Sequence, residues 1–205
     1  MVLYKLTDAY MRTYAKRELI WKVGESQSAI GEGTIIGTDA VIRAYEHPLI
    51  AVLMNPIYED FDPTTMRLFV AEGEIVVRQS QLQCGVRVLK LVEEIPVPIL
   101  TLEQRVKFAL LSHKEVCDDP DWNTWADNWL SGRDRSFTSV FGDGIEAFRA
   151  AYVAQKVQEA SQSATARAAW LSAATTRITA QATAEEGTRA SQIKAIDFIR
   201  IVESL

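Results

Sequence analysis

The sequence has few of the residues from which metal sites and covalent catalytic sites are built. It contains two histidines, His47 and His113, and two cysteines, Cys84 and Cys117, and none of them are at metal-ligand spacing. A GxSxG motif is absent, and neither cysteine has a histidine in its local context. We therefore expect no bound metal and no cofactor, and we favour binding over catalysis.

Long apolar runs and an excess of positive charge are also missing. No segment reaches the roughly 18 apolar residues of a membrane span. The first residues, MVLYKLTDAYMRTYAKRE, lack the apolar region of a signal peptide. The formal net charge of −5 argues against a nucleic-acid backbone as the main partner. Two widely separated cysteines are typical of reduced thiols, and together these features predict a cytoplasmic protein.

The length and composition indicate a protein with its own hydrophobic core. The chain has 205 residues, of which 48% are hydrophobic, enough for one domain with a helical extension. We predict an α+β fold, with a mostly antiparallel sheet in residues 1–100 and packed helices in 101–132. We place a domain boundary at the charged break near residue 135. Beyond it, residues 136–205 are rich in alanine and predict an α-helical tail.

The stretch from 37 to 57, GTDAVIRAYEHPLIAVLMNPI, predicts a strand that turns directly into a helix. AVIRA reads as a strand, and Pro48 suits the first turn of a helix, where its missing N–H is not needed. The helix is expected to stop near Asn55, since Pro56 disfavours helical geometry in the residue before it. The polar segment between strand and helix, which runs from Arg43 to His47, is a candidate for a site.

Later segments predict three more strands. MRLFVA (66–71) and EIVVRQ (74–79) have the β-branched and aromatic content of strands, and Glu72-Gly73 between them predicts a tight turn. The alternating segment from Gln83 to Val92 predicts a long central strand.

Helical signals begin at Thr101, which forms a capping box with Gln104. Asp119 before Pro120 predicts a second helix, and this helix carries tryptophans at positions i, i+3 and i+7. Such a stripe is typical of a core seam or of an aromatic binding platform. The candidates for contact with a partner are the tryptophans of this stripe and one in the tail: Trp122, Trp125, Trp129 and Trp170.

Six segments taken together resemble an uncharacterised family of bacteriophage proteins. They are LYKLTD (3–8), HPLIAVLMNPI (47–57), RLFVAEG (67–73), CGVRVLKLVEEIPVP (84–98), EQRVKFA (103–109) and DWNTWADNWLSGRDRS (121–136). The resemblance extends to a variable, alanine-rich helical tail. It implies a phage accessory protein in the host cytoplasm that binds a host protein, for host take-over or defence evasion. An assembly role, with the tail as the oligomerising element, is an alternative.

The layout of the first strands also resembles small ADP-ribosyltransferase-type folds. This resemblance implies an enzyme or a nucleotide-binding protein, with an NAD pocket between strands. Lys5 stands where such enzymes carry a histidine or arginine, Tyr45 matches their tyrosine, and Glu72, Glu74 or Glu93 is the candidate glutamate. The full candidate pocket consists of Lys5, Arg43, Tyr45, His47, Glu72 and Glu74.

Overall fold

A computed structural model describes residues 1–14, 18–115, 120–133 and 196–205. The chain divides into two compact units, Met1–Leu100 and Thr101–Leu205. The described strands and one helix belong to the first unit, and the other described helices belong to the second. The predicted α+β class is therefore present in the described residues. Most of the predicted tail lies outside them, and the boundary placed near residue 135 stays a prediction.

The first unit is built around one long antiparallel hairpin. Its elements are β1 (Val2–Thr7), β2 (Arg12–Tyr14), β3 (Glu18–Ile20), β4 (Ser26–Ser28), β5 (Ile42–Ala44), α1 (Pro48–Tyr58), β6 (Arg67–Gln79) and β7 (Gln83–Ile95). The hairpin consists of β6 and β7, which pair along most of their length. The free edge of β6 pairs with β1, and the free edge of β7 pairs with both β4 and β5. β2 and β3 form a separate two-stranded sheet.

The larger sheet curls until its two edges meet. Tyr4 in β1 and Tyr45 after β5 exchange two backbone hydrogen bonds, with N···O distances of 2.8 and 2.9 Å. The pairings β1–β6–β7–β5 therefore close into a ring, as in a small barrel. Because side chains alternate along each strand, one set from every strand points into this ring. The resulting core includes Leu3, Trp21, Ile42, Ala44, Phe69, Ala71, Cys84, Val86, Leu89 and Leu91.

Gly73 lies inside a continuous strand, and the tight turn predicted at Glu72-Gly73 is wrong. β6 runs unbroken through this position and turns only after Gln79. A Cβ atom on Gly73 would lie 2.8 Å from the backbone oxygen of Val88 on the neighbouring strand. Glycine is needed here for the close approach of two backbones, a use that leaves the same mark in a sequence as a turn.

Helix α1 continues through Pro56, so its predicted stop near Asn55 is also wrong. The side chain of Asn55 explains the difference. Its amide donates to the backbone oxygen of Phe61 at 2.8 Å, and its oxygen accepts from the backbone N–H of Phe61 at 3.1 Å. The backbone oxygen of Asn55 also accepts from the N–H of Glu59 at 2.9 Å. These contacts hold the last turn of the helix in place even though Pro56 disfavours helical geometry in the residue before it.

The start of α1 follows the prediction. Pro48 is the first helical residue, and His47 is the N-cap, its Nδ1 accepting a hydrogen bond from the backbone N–H of Leu49 at 3.2 Å. The helix is buried on nearly all sides, since the five consecutive residues Ile50, Ala51, Val52, Leu53 and Met54 are 2% exposed or less.

The second unit contains three described helices, α2 (Leu102–Lys114), α3 (Pro120–Ser131) and α4 (Phe198–Glu203). The predicted capping box is confirmed: Thr101 Oγ1 accepts from the N–H of Gln104 at 3.2 Å, and Gln104 Oε1 accepts from the N–H of Thr101 at 2.9 Å. α2 packs against α4 through Phe108 and Phe198, whose ring centroids are 6.0 Å apart. Gly132, with φ of 75°, follows the end of α3.

We predict that Gly73→Ala destabilises the protein by about 1–3 kcal/mol, because the added methyl group forces two paired strands apart. The measurement is the free energy of unfolding in urea. Glu74→Ala, at the next and exposed position of β6, is the matched control and should change stability by less than about 0.5 kcal/mol. Equal effects of the two substitutions would show that Gly73 is not a close-packing position.

Candidate functional site

A pocket of about 270 Å³ opens in the first unit. We call it the Lys5 pocket. Its lining residues come from β1, β2, β3, β5, the end of α1 and the loop before β5: Lys5, Thr13, Tyr14, Leu19, Ala29, Gly37, Thr38, Asp39, Val41, Ile42, Arg43, Tyr58 and Glu59. It combines charged groups with an apolar wall, which is the usual make-up of a small-molecule site.

Lys5 is a lysine buried in the core face of a strand. Its pairing with Phe69 places its side chain on the inner face of the sheet, beside Leu3. Only 3% of the side chain is exposed. The Nζ atom donates a hydrogen bond of 2.8 Å to the backbone oxygen of Arg43 and lies 3.5 Å from Glu59 Oε1. An ammonium group with so little contact with water requires such partners.

Glu59 and Arg43 complete the charged group. The carboxylate of Glu59 is 3% exposed and lies 3.4 Å from Arg43 Nη1 as well as beside Lys5. The side chain of Arg43 is 16% exposed. It donates from Nε to Gln83 Oε1 at 2.7 Å and from Nη1 to the backbone oxygen of Tyr58 at 2.6 Å. Two cations thus share one carboxylate in a poorly hydrated place.

Burial shifts the pKa values of two side chains here, Lys5 and Tyr45. It lowers the pKa of the Lys5 ammonium below its ordinary value, and the neighbouring Glu59 carboxylate offsets this only in part. Burial also raises the pKa of the Tyr45 phenol well above its ordinary value. Tyr45 therefore stays neutral, while the proton on Lys5 is held less firmly than on a surface lysine.

The last turn of α1 brings Glu59 to the pocket. Asn55 fixes this turn through its contacts with Phe61 and Glu59. Arg43 holds it from the other side, since its guanidinium carbon lies 5.0 Å from the centre of the Tyr58 ring. The strand-to-helix corner thus carries both ends of the charged group, Arg43 before the helix and Glu59 after it.

The structure brings together two of the six pocket residues predicted from the sequence. Lys5 and Arg43 line the same pocket. Tyr45 is fully buried and does not line it, and its hydroxyl finds no hydrogen-bond partner among the described residues. His47 serves as the N-cap of α1.

The two predicted glutamates lie elsewhere. Both Glu72 and Glu74 are exposed. Glu72 pairs with Val2, whereas Lys5 pairs with Phe69, so strand alternation puts Glu72 and Lys5 on opposite faces of the sheet. The pocket does not bring Glu72 or Glu74 next to Lys5 as the ADP-ribosyltransferase resemblance implies.

The carboxylate of the pocket is Glu59, which the sequence analysis missed. In the sequence it stands in an acidic segment with Asp60 and Asp62 after a proline, a composition typical of an exposed loop. The one local signal was its distance from Pro48. A helix that continues three residues past the expected stop places Glu59 at its end, next to the strand residue Arg43.

Two of the tryptophan candidates are buried in the second unit. Trp125 and Trp129 are 3% and 7% exposed, so neither ring lies open on a surface. This arrangement matches the core seam that was the alternative to a binding platform. The side chain of Trp122 and all of Trp170 lie outside the described residues.

A second feature of the first unit is an exposed group of large side chains on β2, β3 and the turn before them. We call it the tyrosine surface, and it consists of Tyr10, Arg12, Tyr14 and Ile20. The exposed fractions are 74% for Tyr10, 50% for Tyr14 and 59% for Ile20. The guanidinium carbon of Arg12 lies 4.8 Å from the Tyr10 ring centre and 5.7 Å from that of Tyr14.

Asp8 holds the tyrosine surface in one arrangement. Its carboxylate accepts hydrogen bonds from the backbone N–H groups of Tyr10 and Arg12 at 2.8 and 2.7 Å, and from Arg12 Nε at 3.0 Å. Partial burial tends to raise the pKa of Asp8, but these hydrogen bonds together lower it. One carboxylate therefore binds the backbone of Tyr10 and both the backbone and the side chain of Arg12.

No family model, curated protein or solved structure matches this chain. Within the described ranges, no three histidine, cysteine, aspartate or glutamate side chains gather in a way that would hold a metal ion. Among the helices described, none has the length and apolar character required to cross a membrane. The local chemistry of the pocket and of the tyrosine surface is therefore the basis for a functional proposal.

We predict unequal and non-additive effects when the buried charges are removed. Glu59→Gln should destabilise the protein by about 3–5 kcal/mol, because it leaves two cations buried side by side. Lys5→Met should lower the free energy of unfolding by less than Glu59→Gln does, because Arg43 still neutralises the Glu59 carboxylate. The double variant should cost less than the sum of the single variants. Urea unfolding of all three provides the test.

Arg78→Gln is the matched control for this cycle. It breaks an exposed ion pair with Glu46, with an N···O distance of 3.0 Å, and should change the free energy of unfolding by less than about 1 kcal/mol. If the effects of Lys5→Met and Glu59→Gln simply add, the two side chains do not form a coupled pair.

Proposed function

We propose that the protein binds a small ligand in the Lys5 pocket. The observation that supports this most directly is the burial of three charged side chains, Lys5, Arg43 and Glu59, against a cavity. A buried charged group lowers stability unless its geometry is excellent, and an apolar group of similar size would often serve the fold better. The lowered pKa of Lys5 beside a cavity is also typical of a functional site.

The pocket size sets the size of the ligand. Its volume of about 270 Å³ lies near the lower limit of typical ligand pockets, about 300 Å³. This favours a small metabolite over a dinucleotide. Binding requires no catalytic constellation, which agrees with the scarcity of catalytic motifs in the sequence.

We predict that filling the pocket weakens ligand binding. Ligand-observed NMR with a library of small metabolites should yield ligands of the full-length protein. Ala29→Phe, which inserts a ring into the lining, should lower the affinity of these ligands at least about tenfold. The matched control is Ile30→Phe, because Ile30 is 64% exposed and does not line the pocket. Ligands unaffected by Ala29→Phe, or no ligands at all, would contradict the proposal.

The tyrosine surface favours a second function, which is the binding of another protein. Tyrosine and arginine are enriched among the residues that dominate protein interfaces, and here the Arg12 guanidinium lies against the rings of Tyr10 and Tyr14. The partner would offer apolar pockets for the rings of Tyr10 and Tyr14. The resemblance to phage proteins makes a host protein the expected partner, and this remains a proposal.

We predict that the pair of substitutions Tyr10→Ser and Ile20→Ser weakens this association at least about tenfold, since both remove exposed apolar contacts. A partner captured from bacterial lysate would be identified and purified, and its affinity measured by calorimetry. The control is Val76→Ser, an exposed apolar residue on β6 that is 41% exposed. The surface is not the interface if no purified partner binds, or if the variant binds it as tightly as the original chain.

A further inference from the structure

Lys5, Arg43 and Glu59 contact one another in the Lys5 pocket, and we call this group the floor of the pocket. Its charges do not balance, and this imbalance points to the chemistry of the ligand. Lys5 and Arg43 supply two positive charges, and Glu59, between them, supplies one negative charge. All three side chains are at most 16% exposed, so water screens them poorly. The floor therefore carries a surplus of one positive charge, which an anion of charge −1 would neutralise.

Asp39 is the fourth charged residue of the lining, and it is not among the ion-pair partners of Lys5 and Arg43. It is half-buried, and its Oδ1 lies beside the backbone of Gly31, 2.5 Å from the position of a Cβ atom there. Asp39 forms no ion pair with any residue in the described ranges. The positive charge left over among Lys5, Arg43 and Glu59 is therefore not neutralised by a direct contact with Asp39.

Two donor groups at the floor have capacity for an acceptor. Arg43 uses Nε and Nη1 for Gln83 and Tyr58, whereas its Nη2 makes no hydrogen bond to a described residue. This atom is the nearest neighbour of Gly37, at 3.6 Å from the Cβ position of that glycine. Lys5 has three protons on Nζ and two acceptors within 3.5 Å.

The pocket lining also has an apolar part. It consists of Leu19, Ala29, Val41 and Ile42. Apolar surface of this kind favours a hydrocarbon body, since its burial against these side chains removes both from water. A phosphate group is a poorer match, because its charge of about −1.5 to −2 at neutral pH exceeds the surplus at the floor.

We propose that the Lys5 pocket takes a small organic monocarboxylate. Its carboxylate accepts hydrogen bonds from Arg43 Nη2 and Lys5 Nζ, and its apolar body lies against Leu19, Ala29 and Val41. This inference rests on the proposed function, since it specifies the ligand class of the same pocket. Charge-assisted hydrogen bonds to a buried carboxylate supply the affinity and set the preference over neutral molecules of the same shape.

Three probes of one shape and different charge test this proposal: benzoate, benzamide and benzamidine. Their affinities for the full-length chain would be measured by ligand-observed NMR at pH 7 and low ionic strength. Benzoate should bind about ten- to one-hundred-fold more tightly than the neutral benzamide, and the cationic benzamidine should bind most weakly. The comparison needs no variant, so a folding defect cannot obscure it.

Two variants then test whether Arg43 causes the preference for benzoate over benzamide. Arg43→Gln should reduce the advantage of benzoate over benzamide to about threefold or less. Arg67→Gln, which breaks an exposed ion pair with Glu94 outside the pocket, should leave it unchanged. Circular dichroism of each variant verifies that it is folded.

The outcomes separate this inference from the proposed function. A preference for benzoate that disappears in Arg43→Gln supports both. Equal or tighter binding of benzamide or benzamidine, lost in Ala29→Phe, overturns the monocarboxylate and leaves the pocket as a ligand site. A benzoate preference that persists in folded Arg43→Gln overturns the assignment to the floor. Absence of binding by all three probes and by the metabolite library overturns both proposals.

Discussion

Lys5 is the point on which the first unit depends, because its ammonium connects three segments that are distant in the sequence. The side chain starts on β1, donates to the backbone of β5 at Arg43, and lies beside Glu59 at the end of α1. The backbone contact between Tyr4 and Tyr45 closes the sheet at the same place. A buried cation without these partners would be strongly destabilising. The Lys5 ammonium therefore links the closed sheet to the last turn of α1.

The same interaction explains why a pocket forms here. The ring of β1, β6, β7 and β5 is filled by apolar side chains from its inner face, and a charged residue in that face interrupts the filling. Arg43 and Glu59 surround the interruption, and Gly37, with φ of 90°, brings the preceding loop close to Arg43. A core of apolar residues alone would fill this space at the density usual for protein interiors. The charged group therefore leaves a polar cavity where apolar side chains would otherwise pack.

Local patterns predicted much of the fold, and the exceptions have specific causes. Pro48 marked the start of α1, and Thr101 with Gln104 marked that of α2, because capping involves residues adjacent in the chain. Gly73 was predicted to lie in a turn but lies inside a strand. The prediction failed because a turn and a close approach between two strands both require glycine. Pro56 was misread because Asn55 stabilises the helix end through a residue beyond it. A contact between strands decided the outcome at Gly73, and side-chain contacts a few residues along the chain decided it at Pro56.

The sequence by itself determined the α+β class, the long strand that begins at Gln83, the helix starts and the scarcity of catalytic motifs, because these follow from residue type and short-range spacing. It also singled out Lys5 and Arg43. The tertiary structure alone decided that Glu59, rather than Glu72 or Glu74, is their partner. Lys5 and Glu59 are 54 positions apart, and whether a glutamate meets a lysine at that separation depends on how the sheet curls and where the helix ends. Those features are set by packing, which no local pattern records.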